Sequence, residues 1–304
     1  MNLLNYFKAL SDKTRLRLIN ILLNYELNVN EIVSVLEMSQ PRISRHLKVL
    51  LECGLATYRR DGLWVFYSVS DKEESHSFID SIKIFLNNDE EFKKDLNKCK
   101  RIIENRSKET TSFFDSIAGD WPKLKENIIG NFNITDIISK YTNECKLAVD
   151  IGCGTGDLIP LLLNFANDVI GVDRSQKMLD EAKRNLSINA NRVSLRLGEV
   201  EHLPLSDNEA DFALANMVLH HLSSPIAALK EVYRVLKKRG SVIIVDFLKH
   251  NNELLRTKYG DRWLGFEEDE MKKWLIKTNF NIKEKAQYQI KSDLKLFLFL
   301  AEKQ

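Results

Sequence analysis

The chain has 304 residues, of which 44% are hydrophobic, and this length and composition favour two packed domains over one. A formal net charge of +2 indicates no particular partner, and no apolar run approaches the roughly 18 residues that a membrane span requires. Four cysteines occur singly without a C-x-x-C pair, and the amino terminus has no secretory pattern, so we expect a cytoplasmic protein with reduced thiols and no membrane partner.

Apolar residues at helical spacing predict two helices near the amino terminus, one that starts after Ser11 or Asp12 and one that contains Ile32 and Leu36. A third helical pattern starts at Ser39 and leaves its polar and basic residues on the outer surface. Two short helices with a tight turn and a basic second helix describe a helix-turn-helix.

Two predicted strands follow this helix, from Leu55 to Arg60 and from Trp64 to Val69, and Asp61-Gly62 between them is a hairpin signal. From Ser39 to Arg60, five Lys or Arg residues stand against one acid, a local net charge of +4. A solvated basic surface is the alternative, but helix, turn and wing in this order favour phosphate contact. The predicted DNA-binding residues are Ser39, Gln40, Arg42, Ser44, Arg45, His46, Lys48, Arg59 and Arg60.

The residues around Asn28 and the segment from Ser39 to Ala56 resemble the ArsR/SmtB family of repressors, over roughly residues 1 to 105. The resemblance implies a homodimer on palindromic operator DNA, formed through a last helix from residue 71 to about 104, interrupted at 87–91. Arsenic-sensing members carry cysteines where this chain has Asn28 and Asn30, so thiolate sensing is not expected. A second family metal site uses Asp and His, but the spacing of Asp71, His76 and Asp80 matches it poorly, and we predict no metal site.

An apolar strand ends in a glycine-dense turn from Asp150 to Gly156, and a helical pattern follows. Glycines allow a tight turn and a close approach of the backbone to a ligand. The dinucleotide fingerprint would require a glycine at position 157, where Asp157 instead suits a cationic ligand. Asp173 ends the next apolar run, where an acid can hold both ribose hydroxyls. These features predict a nucleoside that carries a positive charge.

The loop from Asp150 to Gly156, together with Gly171-Val-Asp173, resembles motif I and the ribose acid of class I S-adenosylmethionine-dependent methyltransferases. Strands alternate with helices, predicted at 175–189 and 225–238, and imply a parallel sheet. Two last strands, near 280–288 and 294–301, would complete the family's seven-stranded Rossmann-like sheet. The resemblance implies S-adenosylmethionine as cofactor, contacted by Asp150, Gly152, Cys153, Gly154, Gly156, Asp173, Arg174, Met178, Gly198, Glu199, Val200, Asn216 and Met217.

Candidate catalytic residues follow two strands of this sheet, because substrates meet the methyl group there in the resembled fold. His220 and His221 follow the fourth strand, and Asp246 and His250 follow the fifth. A neutral imidazole could take a proton, although methyl transfer from a sulfonium depends mainly on positioning, and these side chains could equally pack or cap loops. Asn216 is not followed by Pro-Pro-Tyr, which argues against methylation of adenine bases or glutamine amides.

We therefore expect three segments: an ArsR-like winged-helix domain for DNA binding and dimerisation (1–105), a helical connector or lid containing Phe113, Phe114 and Trp121 (106–135), and a class I methyltransferase domain (136–304). The predicted function is an ArsR-family regulator fused to a methyltransferase that acts on a small molecule. The domain resembles the ubiquinone and menaquinone C-methyltransferase type. Two alternatives stay open: a non-catalytic regulator that senses S-adenosylmethionine or S-adenosylhomocysteine, and an enzyme whose winged helix serves only dimerisation or substrate binding.

Overall fold

The structure of the protein is a computed structural model that describes residues 3–86, 89–130, 132–186, 191–291 and 293–304. The chain forms two compact units, Met1–Arg106 and Ser107–Gln304. Within the described ranges, no helix combines the length and apolar character needed to cross a bilayer.

The first unit is mostly helical and contains a small antiparallel sheet. Caps fix the start of two of its helices, because Asp12 accepts a hydrogen bond from the Arg15 amide and Asn28 forms a capping box with Glu31. The sheet has the strand order β1-β3-β2. The elements are α1 (Leu3–Leu10), α2 (Lys13–Asn24), β1 (Leu27–Asn28), α3 (Val29–Leu36), α4 (Gln40–Glu52), β2 (Ala56–Asp61), β3 (Trp64–Val69), α5 (Glu73–Leu86) and α6 (Glu90–Ile117).

Helix α4 packs one face into the core of this unit, since Ile43, Leu47 and Leu50 are at most 1% exposed. The β2–β3 hairpin turns through Gly62, whose φ of +59° suits glycine. Helices α3 and α4 followed by this hairpin form a winged helix, which confirms the predicted fold class of the amino-terminal part. The predicted last helix is divided into α5 and α6, and residues 87–88 of the predicted interruption lie outside the described residues.

The second unit is built on a seven-stranded mixed sheet with the order β6-β5-β4-β7-β8-β10-β9. The strands from β6 to β8 are parallel, and β10 runs antiparallel to both of its neighbours. This topology confirms the predicted Rossmann-like sheet and its closing hairpin. The strands are β4 (Cys145–Ile151), β5 (Ala166–Asp173), β6 (Val193–Leu197), β7 (Ala210–Asn216), β8 (Leu236–Phe247), β9 (Phe280–Gln289) and β10 (Lys295–Lys303).

The strand order reverses between β4 and β7, which creates a crevice at the carboxyl ends of these strands. The helices of this unit are α7 (Trp121–Ile129), α8 (Ile134–Ile138), α9 (Ile159–Leu162), α10 (Gln176–Asn185), α11 (Pro225–Val235), α12 (Glu253–Tyr259) and α13 (Glu268–Lys277). Strand β10 is buried along most of its length, since Leu296, Phe297, Leu298 and Phe299 are all 0% exposed.

Two predicted helices are shorter in the structure. Helix α11 ends at Val235 instead of continuing to Lys238, because Leu236 turns extended and pairs with Ala210 at the start of β8. The lysines after it have good helical propensity, but pairing within the sheet overrides that preference. Helix α10 ends at Asn185, and residues 187–189 of the predicted helix lie outside the described residues.

Candidate functional site

The glycine loop after β4 adopts a backbone conformation that larger residues rarely take. Gly152, Gly154 and Gly156 have φ values of +67°, +52° and +79°. The amides of Gly152 and Cys153 both donate to the carbonyl of Val172, at 2.8 and 3.0 Å. A Cβ added at Gly152 would lie 2.4 Å from a methyl group of Val218. The loop is therefore tied to the end of β5, and its conformation depends on glycine.

Asp173 is fixed at the end of β5 by two backbone donors. Its Oδ2 accepts from the Gly154 amide at 2.9 Å, and its Oδ1 accepts from the Ser175 amide at 2.8 Å. Burial raises the pKa of Asp173, although these backbone donors favour its charged form. Each carboxylate oxygen has a further lone pair, so the group can still accept hydrogen bonds from ligand hydroxyls.

Asp150 lies beside Asp173 at the end of the neighbouring strand. Burial and the negative charge of Asp173 raise the pKa of Asp150 to about 7. Asp157 follows in the loop and is paired with Lys125 Nζ at 2.9 Å. A positive charge placed near Asp150 would favour its ionised form, because opposite charges attract strongly where water is excluded.

A pocket opens at the strand ends where the sheet order reverses. Four acids and two cationic side chains line it, a formal excess of two negative charges, carried by Asp150, Asp157, Asp173 and Asp261 against Lys125 and Arg174. Most of the predicted cofactor-binding residues line this pocket, namely Asp150, Gly152, Cys153, Gly154, Asp173, Arg174, Met178, Val200, Asn216 and Met217. An acidic lining suits a cationic ligand better than a pyrophosphate.

Three predicted cofactor residues lie outside the pocket lining. A Cβ at Gly156 would lie 3.2 Å from the Cβ of Ala182, so this glycine allows the loop to pack against α10. A Cβ at Gly198 would lie 2.6 Å from Pro204. Glu199 is half-exposed and pairs with Arg174 at 3.3 Å. Packing or ion pairing engages these three residues in the structure, and their contact with the cofactor stays a prediction.

The pocket also contains residues that the sequence did not single out as ligand contacts, including Lys125, Tyr259 and Asp261. Phe114 and Trp121, predicted as core or lid residues, line it too. The ring of Phe114 lies 5.6 Å from that of Trp121. The aromatic residues before β4 were the only sequence signal for this part of the pocket lining. Lys125 and Asp261 lie in segments that contain no recognisable motif.

His220 follows β7 in a 3-10 turn, Leu219–His221, and is fixed by an acid from β8. Its Nδ1 lies 2.6 Å from Asp246 Oδ1, and the other Asp246 oxygen accepts from the Leu219 amide at 3.0 Å. Its Nε2 lies 3.7 Å from Asp261 Oδ1. Burial alone would lower the pKa of His220, but the two carboxylates outweigh it and raise this pKa. Asp246 is fully buried and lies outside the pocket lining, where it holds the pocket residue His220.

His221 lines the pocket in a different electrostatic state. Burial and the neighbouring His220 hold the pKa of His221 well below its ordinary value, so its ring is neutral at pH 7. Its Nδ1 lies 3.2 Å from the carbonyl oxygen of Gly260. His250, by contrast, accepts a hydrogen bond from the Asn252 amide and packs against Phe247 outside the pocket lining, and a catalytic role for it stays a prediction.

The predicted DNA-binding residues divide into two groups. Two of them are held by acids within the unit: His46 lies 3.7 Å from Asp12, and Arg59 makes two bonds to Glu26, at 3.1 and 3.3 Å. These two side chains are partly buried and engaged within the unit, and their contact with DNA stays a prediction. The other predicted residues are exposed, namely Ser39, Gln40, Arg42, Ser44, Arg45, Lys48 and Arg60.

Two family models match the chain, one within each of its two compact units. Residues 12–58 match the family model described as "Bacterial regulatory protein, arsR family", and residues 149–244 match that of a methyltransferase domain. A solved protein of Bacillus halodurans assigned to the methyltransferases has a TM-score of 0.51 and 16% identity over 56% of this chain and 98% of its own, which indicates a shared fold.

Two curated relatives are methyltransferases. The demethylmenaquinone methyltransferase of Lactobacillus johnsonii is 34% identical over 36% of this chain and 47% of its own length. The arsenite methyltransferase of Halobacterium salinarum is 33% identical over 34% of this chain and 28% of its own length. The chain therefore spans less than half the length of either relative.

Fold and site together define a chain that joins a winged helix to a Rossmann-like domain with an acid-lined pocket at the carboxyl ends of its strands. More particularly, the winged helix carries an ArsR-type helix-turn-helix, and the second domain is a methyltransferase domain, as the sequence resemblances predict.

Proposed function

We propose that the chain is a cytoplasmic regulator and enzyme in one. Its methyltransferase domain binds S-adenosylmethionine and transfers the methyl group to a small molecule, and its winged helix binds operator DNA as a homodimer. The observation that carries the enzymatic part is the Asp173 carboxylate, held by the Gly154 and Ser175 amides beside a glycine loop in an acid-lined pocket.

The residues of the pocket fit the cofactor. The nearest atom to a Cβ added at Gly154 would be Trp121 Nε1, at 3.8 Å, so the loop backbone is open for a ligand to approach. Asp173 can accept from ribose hydroxyls, and the apolar Met178 at the start of α10 can pack against the adenine. The excess of acids stabilises a sulfonium, which supplies an already activated methyl group.

We call the part of the pocket lined by His220, His221 and Asp261 the acceptor side. Its geometry is better suited to positioning the methyl acceptor than to removing a proton from it. His220 lies between Asp246 and Asp261, 2.6 Å from one carboxylate and 3.7 Å from the other, so its ring is held in a fixed orientation. His221 is neutral, but a proton on it would lie beside His220, with the two ring centroids 4.0 Å apart. We therefore assign these histidines to orienting the acceptor for in-line attack.

The test of the cofactor assignment is calorimetric titration of the full chain with S-adenosylmethionine. We expect Asp173→Ala to weaken binding at least about tenfold, because the variant loses charge-assisted hydrogen bonds. The matched control is Asp168→Ala, since Asp168 is an exposed acid on the same strand. Equal affinity of the two variants would defeat the ribose assignment.

A non-catalytic cofactor sensor is the second candidate, because methyl transfer depends mainly on positioning and no side chain of the pocket therefore marks catalysis by itself. Release of S-adenosylhomocysteine on incubation with cell-extracted metabolites separates the two functions. Acceptor-dependent release supports the enzyme. Tight cofactor binding that changes operator affinity without any release would support the sensor.

A further inference from the structure

The acceptor side of the pocket brings together two histidines and one carboxylate from segments far apart in the sequence. We propose that His220, His221 and Asp261 bind a divalent first-row transition-metal ion. One potential ligand atom from each of the three buried residues lies within 4.8 Å of the others, and all three residues line the pocket.

The distances are close to those of a bound ion. His220 Nε2 and His221 Nδ1 lie 3.7 and 4.0 Å from the same oxygen of Asp261. Ligands about 2.1 Å from a metal ion in tetrahedral geometry stand roughly 3.4 Å apart. The two histidine–carboxylate distances therefore need to contract by about 0.3 and 0.6 Å, and the two histidine nitrogens, which lie within 4.8 Å of each other, by at most about 1.4 Å. The ion would replace the proton that His221 Nδ1 now directs at the Gly260 carbonyl, 3.2 Å away.

A second carboxylate orients one of the histidines as in many metal sites. Asp246 accepts from His220 Nδ1 at 2.6 Å, which leaves Nε2 as the nitrogen that faces Asp261. Asp246 is itself fixed by the amide of Leu219 and is 0% exposed. Such a carboxylate behind a histidine fixes the tautomer and makes the ligating nitrogen more basic.

The backbone already holds the carboxylate in place. Helix α12 ends at Gly260, whose φ of +73° terminates the helix and starts the segment that carries Asp261. The next two amides, of Arg262 and Trp263, both donate to the His220 carbonyl, at 3.0 and 2.9 Å. Because this segment is tied to His220 without an ion, little ordering entropy opposes binding.

Two imidazoles and one carboxylate favour ions such as Zn²⁺ or Mn²⁺, whereas Mg²⁺ and Ca²⁺ prefer oxygen ligands. Three protein ligands leave coordination positions for a further donor, as in catalytic metal sites. These positions would take an oxygen or nitrogen of the methyl acceptor. That last step rests on the proposed methyltransferase function, whereas binding of the ion does not.

The test uses the full chain after treatment with a chelator and dialysis. Zn²⁺ and Mn²⁺ are titrated separately by calorimetry, and bound metal is counted by mass spectrometry after gel filtration. We expect one ion per chain with at least one of the two metals, and a loss of affinity of about 100-fold or more in His221→Ala and Asp261→Asn. Asp246→Asn should weaken binding about 10- to 100-fold through His220.

The control is His202→Ala, which removes an exposed histidine of the same domain and should leave metal affinity unchanged. His221→Gln, which preserves polarity and much of the volume, guards against a folding defect, and thermal melting is recorded for every variant. Folded His221→Gln with wild-type metal affinity would overturn the proposal, as would wild-type protein that takes up neither ion. S-adenosylmethionine affinity measured on the same samples shows separately whether the cofactor assignment fails.

Discussion

The exposed basic helix of the first unit and the acidic pocket of the second use charge in opposite ways. On α4, Arg42, Arg45 and Lys48 are exposed, so their interactions are screened by salt. In the pocket, Asp150 and Asp173 are buried, and burial raises the pKa of both carboxyl groups. From this difference we expect the affinity for DNA to depend mainly on ionic strength. The affinity for the cofactor should depend on pH and on small changes in packing.

The largest effect is expected at the basic helix. The triple variant Arg42→Ala, Arg45→Ala, Lys48→Ala should lose about 100-fold or more in affinity for its operator at moderate salt, and the slope of log affinity against log salt should fall by about 2.7. Fluorescence anisotropy over a salt series measures both quantities. The matched control replaces Lys93, Lys94 and Lys100, three exposed lysines outside the helix-turn-helix, with alanine. If both triple variants change the slope equally, α4 has no special role in DNA binding.

The next effect tests the packing of the glycine loop. Gly152→Ala should weaken S-adenosylmethionine binding about tenfold or more, because a positive φ and a 2.4 Å contact with Val218 force the loop to move. Gly119→Ala is the control, since a Cβ there would meet no described atom within 4 Å. Calorimetry on both variants decides the matter, and an unaffected Gly152→Ala would show that the loop conformation is not needed for binding.

A smaller effect is expected from pH. The pKa of Asp150 is raised to about 7 in the protein without ligand, and a cationic cofactor favours the ionised form. Affinity should therefore rise a few-fold between pH 6 and 8, and Asp150→Asn should flatten this rise. Asp168→Asn, at the exposed acid of β5, should retain it. A pH-independent wild-type affinity would contradict the raised pKa.

The same group has the opposite influence on folding. Because the pKa of Asp150 is higher in the folded than in the unfolded chain, its ionisation is less favourable in the folded state. Its contribution to the free energy of unfolding is therefore greatest below the unfolded pKa and is lost as pH rises towards about 7. Thermal melting of the cofactor-free chain and of Asp150→Asn over this range would isolate the contribution.

The last prediction is that arsenite has no effect on the affinity for operator DNA. Arsenite at stoichiometric concentration should not release the operator, because Asn28 and Asn30 offer no thiolates and Asn28 instead caps α3 by accepting from the Glu31 amide at 3.1 Å. Anisotropy with and without arsenite checks this. Release by stoichiometric arsenite would mean that another group senses the ion.

Sequence reasoning succeeded where local rules determine structure. The glycine loop, the capped helices and the hairpin at Gly62 each follow from a few adjacent residues, and the resemblance to the methyltransferases supplied the seven-stranded sheet with its closing hairpin. It failed where a partner distant in sequence decides the outcome. Arg59 is paired with Glu26, 33 positions away, and Asp261 reaches His220 across 41 positions. No spacing rule connects such pairs, so neither the ion pair of Arg59 nor the position of Asp261 beside His220 and His221 could be predicted.

The pair of amides from Arg262 and Trp263 that share the His220 carbonyl has a practical consequence. Both amide hydrogens exchange with solvent when these hydrogen bonds break, that is, when the loop after α12 moves away from the turn after β7. The rate of deuterium uptake at these two amides therefore measures how often the side of the pocket that carries His220 and Asp261 opens. A small molecule that contacts both segments would slow this deuterium uptake, even where no methylated product can be detected.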